Sequence, residues 1–158
     1  MTDKLRVGII GCGTMARHHV DGYLTCGRYE VAALADPEEA AMREMDARFA
    51  IETVHYRDAR AMLDAEHLDV VSVCTWHTGH APWTTAAAAR RPKAILCEKP
   101  MADTLGRAEE MMVACHRNGV KLAIGPPGAA TSRPVRHPGV SPARRASLGR
   151  TSFKRRAR

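Results

Sequence analysis

The chain has 158 residues, enough for one domain that buries roughly 68–70% of the surface its unfolded form exposes, and a formal net charge of +7. That charge is confined to one end: residues 1–124 hold 15 Lys and Arg against all 17 Asp and Glu, whereas residues 125–158 hold 9 basic residues and no acid. A uniformly basic surface, as nucleic-acid or anionic-membrane binding would require, is thereby excluded for the main part of the chain, and five scattered cysteines without a CxxC pair speak against a disulfide framework or a zinc site.

The first apolar run is too short for a signal-peptide core or a membrane span, so a cytoplasmic protein is expected, with no membrane partner. That run, Leu5 to Ile10, reads as a strand buried on both faces. Directly after it comes Gly11-Cys12-Gly13-Thr14-Met15-Ala16, a G-x-G-x-x-A turn that opens a helix over Met15 to Cys26. Gly11 allows the tight turn, Gly13 lets backbone approach a pyrophosphate, and Ala16 permits close packing of helix on strand. The N–H groups of the opening residues, Thr14 and Met15 among them, are then free for an anion.

A second strand, Glu30 to Ala35, ends at Asp36, twenty residues beyond Ala16. This carboxylate has two uses: it can cap a helix over Pro37 to Phe49, with Pro37 in first position, or it can accept hydrogen bonds from an adenosine ribose. In company with the glycines the ribose reading is preferred. An acid there repels a 2′-phosphate, and Pro37-Glu38-Glu39 offers no arginine to receive one, so NAD is expected rather than NADP.

A third strand, Thr53 to Tyr56, and a helix over Asp58 to Ala65 lead to a fourth strand, Asp69 to Cys74. Thr75-Trp76-His77-Thr78-Gly79-His80 follows, then a helix over Ala81 to Arg91 stopped by Pro92, a fifth strand from Ala94 to Cys97, and Glu98-Lys99-Pro100. Both polar segments lie at carboxyl ends of parallel strands, where open α/β sheets keep their ligands. Thr75, His77, His80 and Glu98 are therefore candidate cofactor contacts. Lys99 is the candidate catalytic residue, able to orient a hydroxyl or share in proton transfer, or else an exposed lysine paired with Glu98. His77 and His80 have metal-ligand spacing but no third ligand nearby, so no metal is expected.

A helix over Thr104 to Asn118, closed by Gly119, and a sixth strand, Lys121 to Ile124, complete a doubly wound parallel α/β sheet. His18 and His19 read as packing or surface residues of the first helix, and Met42, Met45, Met111 and Met112 as core. Residues 126–158 hold five of the nine prolines and no apolar period, and are expected to be a disordered tail.

Taken together, Val7-Gly8-Ile9-Ile10-Gly11-Cys12-Gly13 with Met15, Ala16 and His19, then Ala35-Asp36-Pro37, then Val73-Cys74-Thr75 with His80, then Cys97-Glu98-Lys99-Pro100-Met101-Ala102, and finally Gly119 to Gly125, resemble the glucose-fructose oxidoreductase, inositol dehydrogenase and related (Gfo/Idh/MocA) family. The resemblance implies a Rossmann domain over residues 1–125 and NAD(P)-dependent hydride transfer to or from a sugar, polyol or related carbonyl compound. It places Lys99 near nicotinamide and substrate, and His80 along the cofactor cleft. Thr75-Trp76-His77 stands where the family shows Thr-Pro-Asn. Relatives continue past the Gly125 position into a second α/β domain that carries the substrate pocket, so a truncated or frameshifted member, inactive alone, is expected. The alternative is a stand-alone dinucleotide-binding regulatory module whose basic tail holds a polyanion by charge alone, with nucleic acid the weaker of its partners.

Overall fold

Six short strands alternate with five helices in the structure, a computed structural model that describes residues 4–125. The expected disordered tail, and with it any partner of that tail, lies outside the described residues. The elements are β1 (Leu5–Ile10), α1 (Thr14–Cys26), β2 (Tyr29–Ala35), α2 (Glu39–Phe49), β3 (Val54–Tyr56), α3 (Ala59–Ala65), β4 (Val70–Val73), α4 (His77–Ala88), β5 (Ala94–Cys97), α5 (Leu105–Asn118) and β6 (Lys121–Ile124). All strand pairs are parallel and the order across the sheet is β3-β2-β1-β4-β5-β6. This is the doubly wound order, reversing between β1 and β4, and the crevice above that reversal is where such sheets bind ligands.

Alternation within the strands divides the core in two. Val7, Ile9 and Leu34 point toward α1 and α2, where they pack with Val20, Met42 and Met45. Ile10, Val71, Val73 and Ile95 point toward α3, α4 and α5, where they meet Met62 and Met111. Met42, Met62 and Met111 are each 0% exposed, and each such burial stabilises by about 1.5–3 kcal/mol. Met112, expected in the core, is half exposed instead, because its neighbour Met111 takes the inward face of α5. At the far edge Lys121, Ala123 and Ile124 of β6 are exposed.

Three helix boundaries differ from the sequence expectation by more than one residue, each for a local reason. α2 starts two residues later than Pro37, with Glu38 at its N-cap and no side-chain capping bond, because the Asp36 carboxylate is engaged elsewhere. α4 starts four residues earlier than Ala81, at His77. Pro82 has no N–H for the carbonyl of Thr78, but Arg107 Nη1 of α5 reaches that carbonyl at 3.4 Å, so the proline sits inside the helix rather than at its start. The same helix ends at Ala88, three residues ahead of Arg91, which precedes Pro92 and takes a φ of 55°. Gly119 closes α5 as expected, with φ 71° and its N–H on the His116 carbonyl.

Candidate functional site

A cavity of about 950 Å³ opens at the carboxyl ends of β1, β2, β3 and β4, within the size range of small-molecule and cofactor sites. Its middle is the glycine turn. Gly11 has a φ of 88°, and a Cβ there would stand 2.9 Å from the Cys74 carbonyl carbon and the Thr75 nitrogen, so only glycine lets β1 turn this close beneath β4. A Cβ on Gly13 would meet nothing within 4 Å, since that side of the turn faces open cavity. α1 then begins with no side-chain cap and no acid in its first turn. Its orphan N–H groups and positive dipole end face the cavity uncompensated, which suits a diphosphate.

Asp36 ties this turn to the adjoining strand. Its Oδ2 accepts from the Cys12 backbone N–H at 2.7 Å, and its Oδ1 accepts from the Glu38 N–H at 2.9 Å. The carboxylate is thus held at the cavity rim by two donors from different loops, each oxygen keeping a lone pair for a further hydroxyl. Beside it stands Arg57, whose Nε donates to the Pro37 carbonyl at 3.3 Å and which lines the same end of the cavity. Reading along the chain from Asp36 misses this arginine, which comes from the β3–α3 connection. Its signal is the strand order: β3 pairs with β2, Ala35 opposite Tyr56, so the residues that follow each strand become neighbours.

Of the ten residues singled out in the sequence, Gly11, Gly13, Thr14, Met15, Asp36 and Thr75 line this one cavity. Trp76, 84% exposed, and Trp83 join them in its wall. The other four do not line it. His77 is exposed at the first residue of α4. His80 is 1% exposed, its Nδ1 2.8 Å from the Pro100 carbonyl and its Nε2 2.9 Å from the Thr75 carbonyl, so the ring pins the loop after β4 to the loop after β5. Lys99 is exposed beyond the end of β5. Glu98 is 3% exposed and turns inward rather than toward the Lys99 ammonium. Among the described residues, no group of three His, Cys, Asp or Glu side chains could hold a metal ion, and no helix is long and apolar enough to cross a membrane.

Glu98 belongs to a buried polar chain that sequence reasoning left unassembled. Its Oε1 accepts from His19 Nε2 at 2.9 Å, and its Oε2 from the Lys99 backbone N–H at 3.1 Å. His19, 0% exposed, has its Nδ1 3.1 Å from Ser72 Oγ, which lies 2.8 Å from the Tyr23 hydroxyl. Burial holds the His19 imidazole below its ordinary value, outweighing the opposing pull of Glu98. Burial works to raise the Glu98 carboxyl, yet the bonds from His19 and from the Lys99 N–H prevail and keep it below the usual carboxylate range. The pair is therefore a neutral imidazole donating to a carboxylate. The directions along the chain follow: Tyr23 O–H to Ser72, Ser72 O–H to Nδ1, Nε2–H to Glu98. Burial likewise pushes Tyr23 up to about 12, so its proton stays in place. The signal for this cluster was the face of α1: Ala16, His19, Val20 and Tyr23 share the helical spacing of the side that packs on the sheet.

Known proteins are similar to this chain in sequence and fold. A D-apiose dehydrogenase from Paraburkholderia graminis is 37% identical over 121 residues, which is 77% of this chain and 32% of that protein. A crystal structure of an oxidoreductase from Agrobacterium radiobacter in complex with NAD+, L-tartaric acid and magnesium matches with a TM-score of 0.72 and 26% identity over 77% of this chain and 35% of that one. The dehydrogenase WlbA from Bordetella pertussis, in complex with NADH and UDP-GlcNAcA, matches with a TM-score of 0.71 and 25% identity over 77% of this chain and 36% of that one. The chain thus spans about a third of the length of these relatives. Residues 5–126 match the model of an oxidoreductase family with an NAD-binding Rossmann fold. With the glycine turn, the strand-end carboxylate and the doubly wound sheet in register with that match, the chain belongs to the Gfo/Idh/MocA oxidoreductase family and carries its NAD-binding Rossmann domain.

Proposed function

We propose that Gly11, Gly13, Thr14 and Met15 hold the diphosphate of NAD, that Asp36 accepts the adenosine ribose hydroxyls, and that Thr75 and Trp76 line the way to the nicotinamide. The observation that carries this reading is the Asp36 carboxylate, fixed to the Cys12 N–H of the glycine turn and open to the cavity on its other side. One residue thereby spans the interval between the diphosphate and ribose positions. Bound NAD supplies the hydride acceptor; the chain's part is to orient it and to offer a polar group at the reacting end. Lys99, at the carboxyl end of β5, is that group in this reading. Its ammonium orients a substrate hydroxyl, and His80 and Glu98 act as positioning residues by fixing the backbone on either side of it.

The protein as a whole, on this reading, oxidises or reduces a sugar, a polyol or a related carbonyl compound. Residues 5–125 bind the dinucleotide without turning it over, because substrate positioning and exclusion of water need a surface opposite this cleft. Calorimetric titration of the 158-residue chain with NAD, beside Asp36→Ala, tests the binding half. The expected result is saturable NAD binding, weakened about tenfold or more by the substitution, the loss of one to two hydrogen bonds to a charged acceptor. An unchanged dissociation constant in Asp36→Ala refutes it. Steady NADH formation from sugars or polyols by the same chain refutes the proposal of binding without turnover.

A further inference from the structure

Strand order puts a cation where chain order hides it. β3 is the outer strand beside β2, and the Asp36 N–H donates to the Tyr56 carbonyl at 3.0 Å, so Arg57 stands next to Asp36 at the adenosine end of the cavity. Two carboxylates and one guanidinium meet there. Asp36 cannot swing away without releasing the backbone N–H groups of Cys12 and Glu38. Asp58 is turned to the start of α3, where its Oδ1 accepts from the Arg60 N–H at 2.9 Å. Arg57 is tethered through Nε alone, and among the described residues its two Nη groups have no hydrogen-bond partner. A guanidinium presents those groups as a planar fork matched to phosphate oxygens.

We propose that Arg57 is a second determinant of cofactor choice, a latent receptor for the 2′-phosphate of NADP that the Asp36 carboxylate masks. The inference rests on the reading that the adenosine ribose lies at Asp36. While Asp36 is ionised, a phosphate brought to Arg57 must also approach a carboxylate that cannot move aside, and a ribose 2′-hydroxyl is the group that fits. Once that charge is removed, the guanidinium is left in the cavity wall beside the 2′ position, with Asp58, one oxygen of which is committed to its cap, as the other acid lining that end.

The test is fluorescence titration of the 158-residue chain with NADH and NADPH in four forms: unaltered, Asp36→Ser, Asp36→Asn and Asp36→Ser/Arg57→Ala. Serine keeps an oxygen for the Cys12 or Glu38 N–H without the charge, and asparagine keeps the carboxylate's shape should serine loosen the turn. Either variant is expected to shift the preference toward NADPH by about tenfold to a hundredfold, the range of a hydrogen bond to a charged group, with the gain fading at high salt and lost when Arg57 is also replaced. If the gain survives in the double variant, or if both single variants bind NADH without gaining for NADPH, Arg57 is not the receptor and this inference alone falls. If the unaltered chain binds neither dinucleotide, the proposed function falls and the inference with it.

Discussion

Replacing His19 by Leu tests the buried polar chain at its most constrained member. Leucine fills much the same space, so the change is chiefly one of hydrogen bonding: Glu98 loses the donor at 2.9 Å and keeps the Lys99 backbone N–H at 3.1 Å. Losing one hydrogen bond to a charged group costs about 1.5–3 kcal/mol, and Ser72, left without its acceptor, adds up to about 1 kcal/mol unless it turns toward Tyr23. The better burial of leucine returns part of this, so His19→Leu should destabilise by about 1–3 kcal/mol, a sizeable share of the roughly 5–15 kcal/mol that holds a domain folded. Urea unfolding at pH 7.5, followed by circular dichroism, should show the midpoint fall by about 0.5–1.5 M for a slope near 2 kcal/mol/M. His19→Leu/Glu98→Leu removes the stranded carboxylate as well and should be less destabilised than the two single changes add to, by about 1.5–3 kcal/mol. A His19→Leu loss under about 0.5 kcal/mol, or strict additivity in the double variant, would refute the idea that this pair is a coupled unit.

The same pair fixes the direction of the acid response. The folded His19 titrates below its unfolded value of about 6.5 and the folded Glu98 below about 4.3, so in both intervals the unfolded chain binds more protons and stability declines as pH falls. Thermal melts should therefore drop between pH 7 and 5 and more steeply below pH 4.5, and His19→Gln should flatten the first part. Asp69, held low by Lys93 and the Arg6 N–H, adds to the second part. Burial pushes Cys12 up to about 12 and Cys97 up to about 11, and raises Cys74 and Cys115. Iodoacetamide at pH 8 should thus modify exposed Cys26 in minutes and the other four only on unfolding, as peptide mass mapping would show. Ala50 closes α2 at a φ of 50°, a conformation that costs a residue with a Cβ roughly 1–2 kcal/mol. Ala50→Gly should raise stability by up to about 1 kcal/mol in the same urea assay; a decrease would mean that the methyl group packs well enough to offset the strain.

The sheet was legible because each strand is a short apolar run and each connection a helix-length amphipathic one. Only two parallel layers on a central sheet satisfy both patterns. The glycine turn was legible for a similar reason, since Gly11 is demanded by backbone approach and not by distant side chains. What stayed hidden depends on neighbours brought together by folding. Asp36 has two local uses in the sequence, and only the closeness of the Cys12 N–H to its Oδ2 shows that it caps neither α2 nor a loop alone. The helix expected from Ala81 starts at His77 instead, and Arg107, twenty-five residues after Pro82, supplies the missing donor to Thr78. His19 and Ser72 look unremarkable apart, because nothing in either local segment says that α1 lies over β4 at that height. Glu98 and Lys99 read as a surface pair for the same reason: the His19 imidazole that draws the carboxylate inward is seventy-nine residues away.

If Asp36 receives the ribose as proposed, its double attachment means that folding and ligand recognition draw on the same atoms. A carboxylate already immobilised by two amides has no rotamers left to lose when a ribose arrives, so association is spared that entropic penalty and complementarity is set in advance. The converse is that this position evolves under two constraints at once. A replacement must suit an incoming nucleotide and must also keep the β1–α1 and β2–α2 connections in register, which narrows the tolerated side chains to those with a short, forward-pointing oxygen.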